Sequence, residues 1–372
     1  MKNPKKILII IQRSNGDVFL SLSLINALYD YYDFPLIDLL VNDDTLTVAK
    51  LLPHINFIHT FSYQKKRGKT LLTALGMILN RVWNQEKEII TNIYRKYDLS
   101  INLTASDRSV IYSILASNKS ISAIEKEVKK SWWKKILLNK FYYFDKSKHI
   151  LLNNLEPLRL LKIKQNFVQQ TPKISEEIYV NLKSKLAKKG INNFIIFHPS
   201  AQYKYKIYPK HLRDELLLYL STLGIPILIT GSNNEIDTEI KQELPSLSNV
   251  HDMIGETSLA EYFVLSEMAL AYIGVDTLNM HIAAGQNKPI FAIFGPTNLS
   301  MWSPWSNVLK SSTNTNTPKQ TYGNITIFQA DMPCVACGEA GCANTGKSEC
   351  LGKISPERIF HEIKDWYQNA KF

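Results

Sequence analysis

The sequence predicts an α/β protein made of two doubly wound domains with parallel sheets, and three observations carry that expectation. Short runs of Ile, Leu, Val and Phe recur along the chain with helix-length amphipathic segments between them, the rhythm of strands covered on both faces. The rhythm lapses in a polar stretch, residues 162–184, around Thr171-Pro172, and restarts after residue 190. A length of 372 residues also suits two domains with ample core.

In order, Ile7-Leu8-Ile9-Ile10-Ile11 reads as the opening strand and residues 18–32 as the helix after it. Residues 36–41, 56–61, 98–103 and 121–124 read as further strands of the first domain. The second domain restarts with Phe194-Ile195-Ile196-Phe197, then 225–230, 269–273 and 289–294, each followed by a helix candidate. The expected boundaries are 1–170 for the first domain and 171–354 for the second. A last helix over 355–372 starts at Ser355-Pro356-Glu357, carries a stripe of Ile359, Ile363 and Trp366, and is expected to pack back toward the first domain. Two such halves predict a cleft between them, with ligand-binding loops just beyond the carboxyl ends of the strands.

Composition excludes several classes. Apolar residues make up 45% of the chain, too many for a disordered one, and 15 Gly with 15 Pro are too few for a low-complexity one. No apolar run approaches the roughly 18 residues of a membrane-spanning helix. Lys2, Lys5 and Lys6 precede the first apolar run as in a signal peptide, but Gln12, Arg13 and Asp17 cut that run short, so a cytoplasmic chain is expected. A formal charge of +11 would fit contacts to nucleic-acid phosphates, yet no nucleic-acid-binding module accompanies it and no such partner is expected.

The first strand is followed by Gln12-Arg13-Ser14-Asn15-Gly16-Asp17, which lacks the G-x-G-x-x-G of a dinucleotide site. Asp17 falls at a helix start, as an ordinary cap or as a general base at the cleft mouth, with Gly16 letting the backbone turn beside it. After the first strand of the second domain, His198-Pro199-Ser200 leads to Lys206-Ile207-Tyr208-Pro209, where small polar residues and lysines suit a diphosphate. Gly255-Glu256-Thr257-Ser258-Leu259 reads as a helix start. Beyond the next strand, Asp276-Thr277 opens a helix whose free N–H groups suit an anion, with His281 one turn along. Phe294-Gly295-Pro296-Thr297 follows a further strand, and no Asp-x-Asp metal motif occurs.

Taken in order, G-D-V, K-x-[WY]-P, G-x-T-S-L, D-T-x-x-x-H-x-A-A and F-G-P-T resemble glycosyltransferase family 9, the ADP-heptose:lipopolysaccharide heptosyltransferases, over nearly the whole chain. The resemblance implies a GT-B fold, two Rossmann-like domains facing across a cleft, with the nucleotide-sugar held mainly by the second. It implies inverting transfer of heptose from an ADP-sugar donor to the inner core of lipopolysaccharide, on Kdo or a first heptose, with Asp17 as the base and no catalytic cofactor. Lys206, Asp276, Thr277 and His281 match the family's diphosphate site, with Ser200 beside them, and Asn233 or Glu235 matches an acidic ribose contact. Leu278 departs from the pattern, standing where the family usually has Gly, and keeps open a GT-B enzyme that uses another nucleotide-sugar, an epimerase of similar fold included.

Two further features stand apart from these motifs. Cys334, Cys337, Cys342 and Cys350 suit a structural zinc, reduced buried thiols or, least in a reducing cytosol, disulfides. Residues 119–149 hold nine lysines against three acids, interleaved with Trp132, Trp133, Phe141, Tyr142 and Tyr143. That stretch is either a helix with a solvated lysine face and an aromatic core side, or a peripheral contact with the anionic cytoplasmic face of the inner membrane. Lys65, Lys66 and Arg67, with Lys69, form a second basic cluster, read with Arg13 and Gly16 as the acceptor side.

Overall fold

The computed structural model describes residues 3–62 and 75–370. The chain divides into two compact units, Met1–Pro172 and Lys173–Phe372.

The first unit is built on β1 (Lys6–Ile11), β2 (Leu36–Asn42), β3 (Ile55–Phe61), β4 (Leu99–Asn102), β5 (Ser120–Ile124) and β6 (Lys140–Tyr143). They form one parallel sheet in the order β3-β2-β1-β4-β5-β6. Ile7 through Ile11 are all fully buried, which explains why β1 is a continuous apolar run: both of its faces carry helices. Strand order reverses at β1, so the carboxyl ends of β1 and β4 flank the point where a doubly wound sheet opens a crevice.

Two departures from the sequence reading occur in this unit. Residues 18–32 are not one helix but two, Asn15–Phe19 and Leu22–Tyr31, interrupted where the Ser21 hydroxyl donates to the Val18 carbonyl at 2.7 Å. The lysine-rich stretch is not helical throughout, since β6 emerges from it as an edge strand pairing with β5. Lysine at the start of β6 suits an edge, where it discourages pairing with another chain.

The second unit contains β7 (Ile195–His198), β8 (Ile227–Ile229), β9 (Val250–Asp252), β10 (Tyr272–Val275), β11 (Ile290–Ile293), β12 (Lys319–Tyr322) and β13 (Ile325–Phe328). Their order is β12-β13-β11-β10-β7-β8-β9, parallel except for β12. Here the order reverses between β7 and β10. Strand β9 and the β12–β13 hairpin have no counterpart in the sequence reading, because three- and four-residue strands with polar positions leave little periodicity to detect. Gly323 supplies the positive φ the hairpin turn requires.

The last helix, Pro356–Asn369, starts as expected, with the Ser355 hydroxyl accepting the Arg358 N–H. Ile359, Phe360 and Ile363 enter the core of the second unit, and Phe360 stacks on Tyr219 of helix Lys210–Ser221. The apolar stripe therefore finds its cover in its own unit. No helix among the described residues is long and apolar enough to cross a membrane.

Candidate active site

In the first unit the predicted loop sits at the reversal point. The Gln12 N–H donates to Thr104 Oγ1 at 3.0 Å, and Gln12 Oε1 accepts from the Ser109 hydroxyl at 2.9 Å, tying the end of β1 to the segment after β4. The Arg13 carbonyl accepts from Asn42 Nδ2 at the end of β2. Ser14, not Asp17, is the cap of helix Asn15–Phe19, and Asp17 is the third helical residue of a capping box. Asp17 Oδ2 accepts from both the Ser14 N–H (3.1 Å) and the Ser14 hydroxyl (2.6 Å). Arg13 Nε lies 2.6 Å from the other oxygen, Oδ1, and its guanidinium covers the Phe144 ring.

Asp17 is almost fully buried. Around it, Gln12 Nε2, Asn15 Oδ1 and Asn42 Oδ1 are buried with no hydrogen-bond partner among the described residues. Gly16 does not make the tight turn expected of it: it is a helical residue without positive φ. Lys65, Lys66 and Arg67 lie outside the described residues.

In the second unit the predicted residues converge on the ends of β7 and β10. Lys206, on a short 3-10 turn, places Nζ 2.6 Å from Asp276 Oδ2, joining two loops 70 residues apart. Burial opposes the Lys206 charge, but the Asp276 carboxylate, its hydrogen bond and the Tyr205 and Tyr203 hydroxyls outweigh it, so the pKa stands above the usual lysine value. Thr277 is the cap of helix Leu278–Gly285 and makes no side-chain capping bond. The first N–H groups of that helix are thus not answered by its own cap. Leu278 is half-buried at the first helical position.

His198, at the end of β7, links the end of β8 to the helix that Thr277 opens. Its Nδ1 lies 3.0 Å from Thr230 Oγ1 and 3.1 Å from Asn279 Nδ2. Burial lowers its pKa to about 4, against the opposing influence of Asp237 and Thr230, which keeps the ring neutral at physiological pH. Ser200 is buried beside it in the chain. Gly274 allows the close approach of strands here, since a Cβ would stand 2.6 Å from the His198 carbonyl and the Tyr272 hydroxyl.

His281 is buried on the helix that Thr277 caps, its ring 6.3 Å from that of Trp302. Asn233 lies over Gly255 and Glu235 is an exposed first-turn residue of helix Glu235–Gln242. The buried carboxylate of that loop is instead Asp237. Its Oδ2 accepts from the Ser232 N–H, the Ser232 hydroxyl and Asn234 Nδ2. The Asn234-x-x-Asp237 capping spacing was the signal that could have found it.

The four cysteines are free, from exposed Cys334 and Cys337 through half-buried Cys342 to buried Cys350. Burial, with added repulsion from the other three thiols, pushes Cys350 up to about 11. Among the described residues no group of three His, Cys, Asp or Glu side chains is placed so as to hold a metal ion.

The model of glycosyltransferase family 9 (heptosyltransferase) matches residues 88–329, close to two thirds of the chain. The chain belongs to that family. The match covers the Lys206 and Asp276 loops but begins after the Asp17 loop and ends before the cysteines. This family 9 glycosyltransferase is 24% identical to lipopolysaccharide heptosyltransferase 3 of Escherichia coli K12, over 79% of this chain and 83% of that one. Its fold is that of GT-B heptosyltransferases. A Veillonella parvula family 9 glycosyl transferase superposes with a TM-score of 0.70 at 17% identity, covering 100% of this chain and 99% of that one. The ADP-heptose heptosyltransferase II of E. coli superposes at 0.68 and 19% identity, over 98% and 100%.

Proposed function

We propose that this glycosyltransferase transfers heptose, with inversion, from ADP-heptose to the inner core of lipopolysaccharide, on Kdo or a first heptose, working at the cytoplasmic face of the inner membrane. The observation that carries the reading is the charged pair at each reversal point, Arg13–Asp17 in the first unit and Lys206–Asp276 in the second. The names of the relatives, lipopolysaccharide heptosyltransferases of E. coli among them, support the donor and acceptor classes.

The second unit holds the donor. Lys206 offers its ammonium to the diphosphate, and the helix opened by Thr277 offers backbone N–H groups, so the departing ADP gains hydrogen bonds where negative charge builds up. Asp276 positions Lys206 and keeps it charged. The first unit supplies the base. Oδ2 of Asp17 is committed to Ser14, leaving Oδ1, now held by Arg13, to take the proton of the acceptor hydroxyl. An anionic acceptor draws the Arg13 guanidinium toward itself and uncovers that oxygen. The hydroxyl oxygen then attacks the anomeric carbon as the bond to the diphosphate breaks.

The test is calorimetric titration with ADP, UDP, GDP and NAD, followed by a transfer assay from ADP-heptose to heptose-deficient lipopolysaccharide. Selective ADP binding with transfer is expected. Preference for UDP or GDP would overturn the donor, a result toward which half-buried Leu278 at the helix start would point.

A further inference from the structure

Helix Val128–Leu137, between β5 and β6, buries charge and exposes apolar side chains. Lys134 is fully buried, its Nζ 2.6 Å from Glu125 and 2.7 Å from Asp107 while donating to the Ala105 carbonyl at 2.9 Å. Ser131 is buried on the same side, its hydroxyl bonded to the Glu127 carbonyl. The polar residues of this face are thus satisfied by the protein, and the helix is anchored through them.

On the other side Val128, Trp132 and Ile136 stand four residues apart, 68%, 58% and 72% exposed, with Leu137 next to them at 56%. Spacing by four places the first three on one face. Single exposed apolar residues are ordinary, but a stripe of them on one helix is not. Lysines surround it: Lys126, Lys129 and Lys130 are exposed, and Lys135 reaches over the ring of exposed Tyr143 on β6. The sequence left open whether this helix turns its lysines outward and its aromatic side to the core. The structure does the reverse with Lys134 and Trp132.

We propose that this face docks on the surface of an anionic lipid bilayer, with Trp132, Ile136, Val128 and Leu137 in the boundary between headgroups and acyl chains and the lysines on lipid phosphates. Charge selects this occupant. A second copy of the chain would bring Lys126, Lys129, Lys130 and Lys135 against the same four lysines, whereas an anionic surface neutralises them. The inference deepens the membrane part of the function proposed above and takes from it only which membrane is meant; the docking stands on the surface itself.

Flotation of the full chain with vesicles tests it. The parent is expected to float with phosphatidylglycerol–phosphatidylcholine vesicles, to be released by salt, and to stay behind with phosphatidylcholine alone. The pairs Trp132→Ser with Ile136→Ser, and Lys129→Glu with Lys130→Glu, should each weaken flotation about tenfold or more. Val308→Ser with Leu309→Ser, equally exposed in the second unit, should leave it unchanged. Circular dichroism and ADP titration report that each variant is folded. Equal partition of the parent onto both vesicle types, or parent-like flotation of the Trp132 and Ile136 pair, overturns the proposal. So does a dimer that this pair dissolves without altering flotation, which would assign the face to a protein. A parent that floats but binds no ADP would sink the transferase reading and leave the docking intact.

Discussion

The two units solve one problem in different ways. Each carries an acid–base pair with a 2.6 Å contact at the point where its strand order reverses. In the first unit the partners are Arg13 and Asp17, four residues apart on a single loop and short helix, and Ser14 between them supplies two more bonds. In the second they are Lys206 and Asp276, brought together from loops after β7 and β10. The first pair is a property of local sequence, so its geometry survives wherever the loop folds. The second exists only when the sheet has formed, and its burial makes each partner depend on the other.

The sharpest break in that comparison is catalytic. Asp17→Ala should lower the transfer rate by about a thousandfold, within the range for loss of a general base, while ADP affinity measured by calorimetry stays near the parent value. A rate within a few-fold of the parent would reduce Asp17 to a structural cap. Lys206→Ala should act on the other side of the division, weakening ADP about tenfold or more and, by leaving Asp276 buried without its cation, lowering unfolding free energy by about 3 kcal/mol. Lys206→Arg should recover part of both losses, and an unchanged ADP dissociation constant in Lys206→Ala would remove it from the site.

A pH series compares the units more finely. His198 belongs to the second unit, and its pKa falls from the ordinary 6.5 to about 4 on folding. Unfolded chains therefore bind a proton there that folded chains refuse. The stabilisation is complete above pH 6.5 and is lost as pH falls toward 4, on the order of 3 kcal/mol at most. Denaturant unfolding across that range should show the slope, and an imidazole resonance of His198 that titrates near 6.5 would remove its cause. The smallest effect is expected from Ser14→Ala, which deletes one bond to Asp17 and the helix cap, at about 1 kcal/mol by thermal unfolding. A much larger loss would mean that the local pair is less self-sufficient than its spacing suggests.

How much could be read in advance follows the same division. The central strands were legible because a strand covered on both faces must be apolar throughout, as Ile7 to Ile11 are. The helix starts at Ser258 and Ser355 were legible because capping is written within four residues. Edge elements were not: β6, β9 and the β12–β13 hairpin are short and half-polar, and pairing rather than periodicity makes them strands. At the candidate site, Asp17, Lys206, Asp276 and Thr277 stand in motifs that the sequence displays, whereas the contacts of His198 with Thr230 and Asn279 arise only in the fold. The turn read at Gly16 is a helical residue instead, because the Ser14 cap starts the helix one residue earlier.

The sequence by itself determined the two α/β units, the loops in which charged residues are concentrated and the family to which the chain belongs, since these depend on local pattern and on ordered motifs. Tertiary structure alone decided that Lys206 meets Asp276, that Asp237 rather than Asn233 or Glu235 is the buried acid of its loop, and that Lys134 turns inward while Trp132 and Ile136 face out. Those outcomes rest on contacts between residues distant in the chain, where desolvation and a partner's charge, not spacing, choose which side chain is buried.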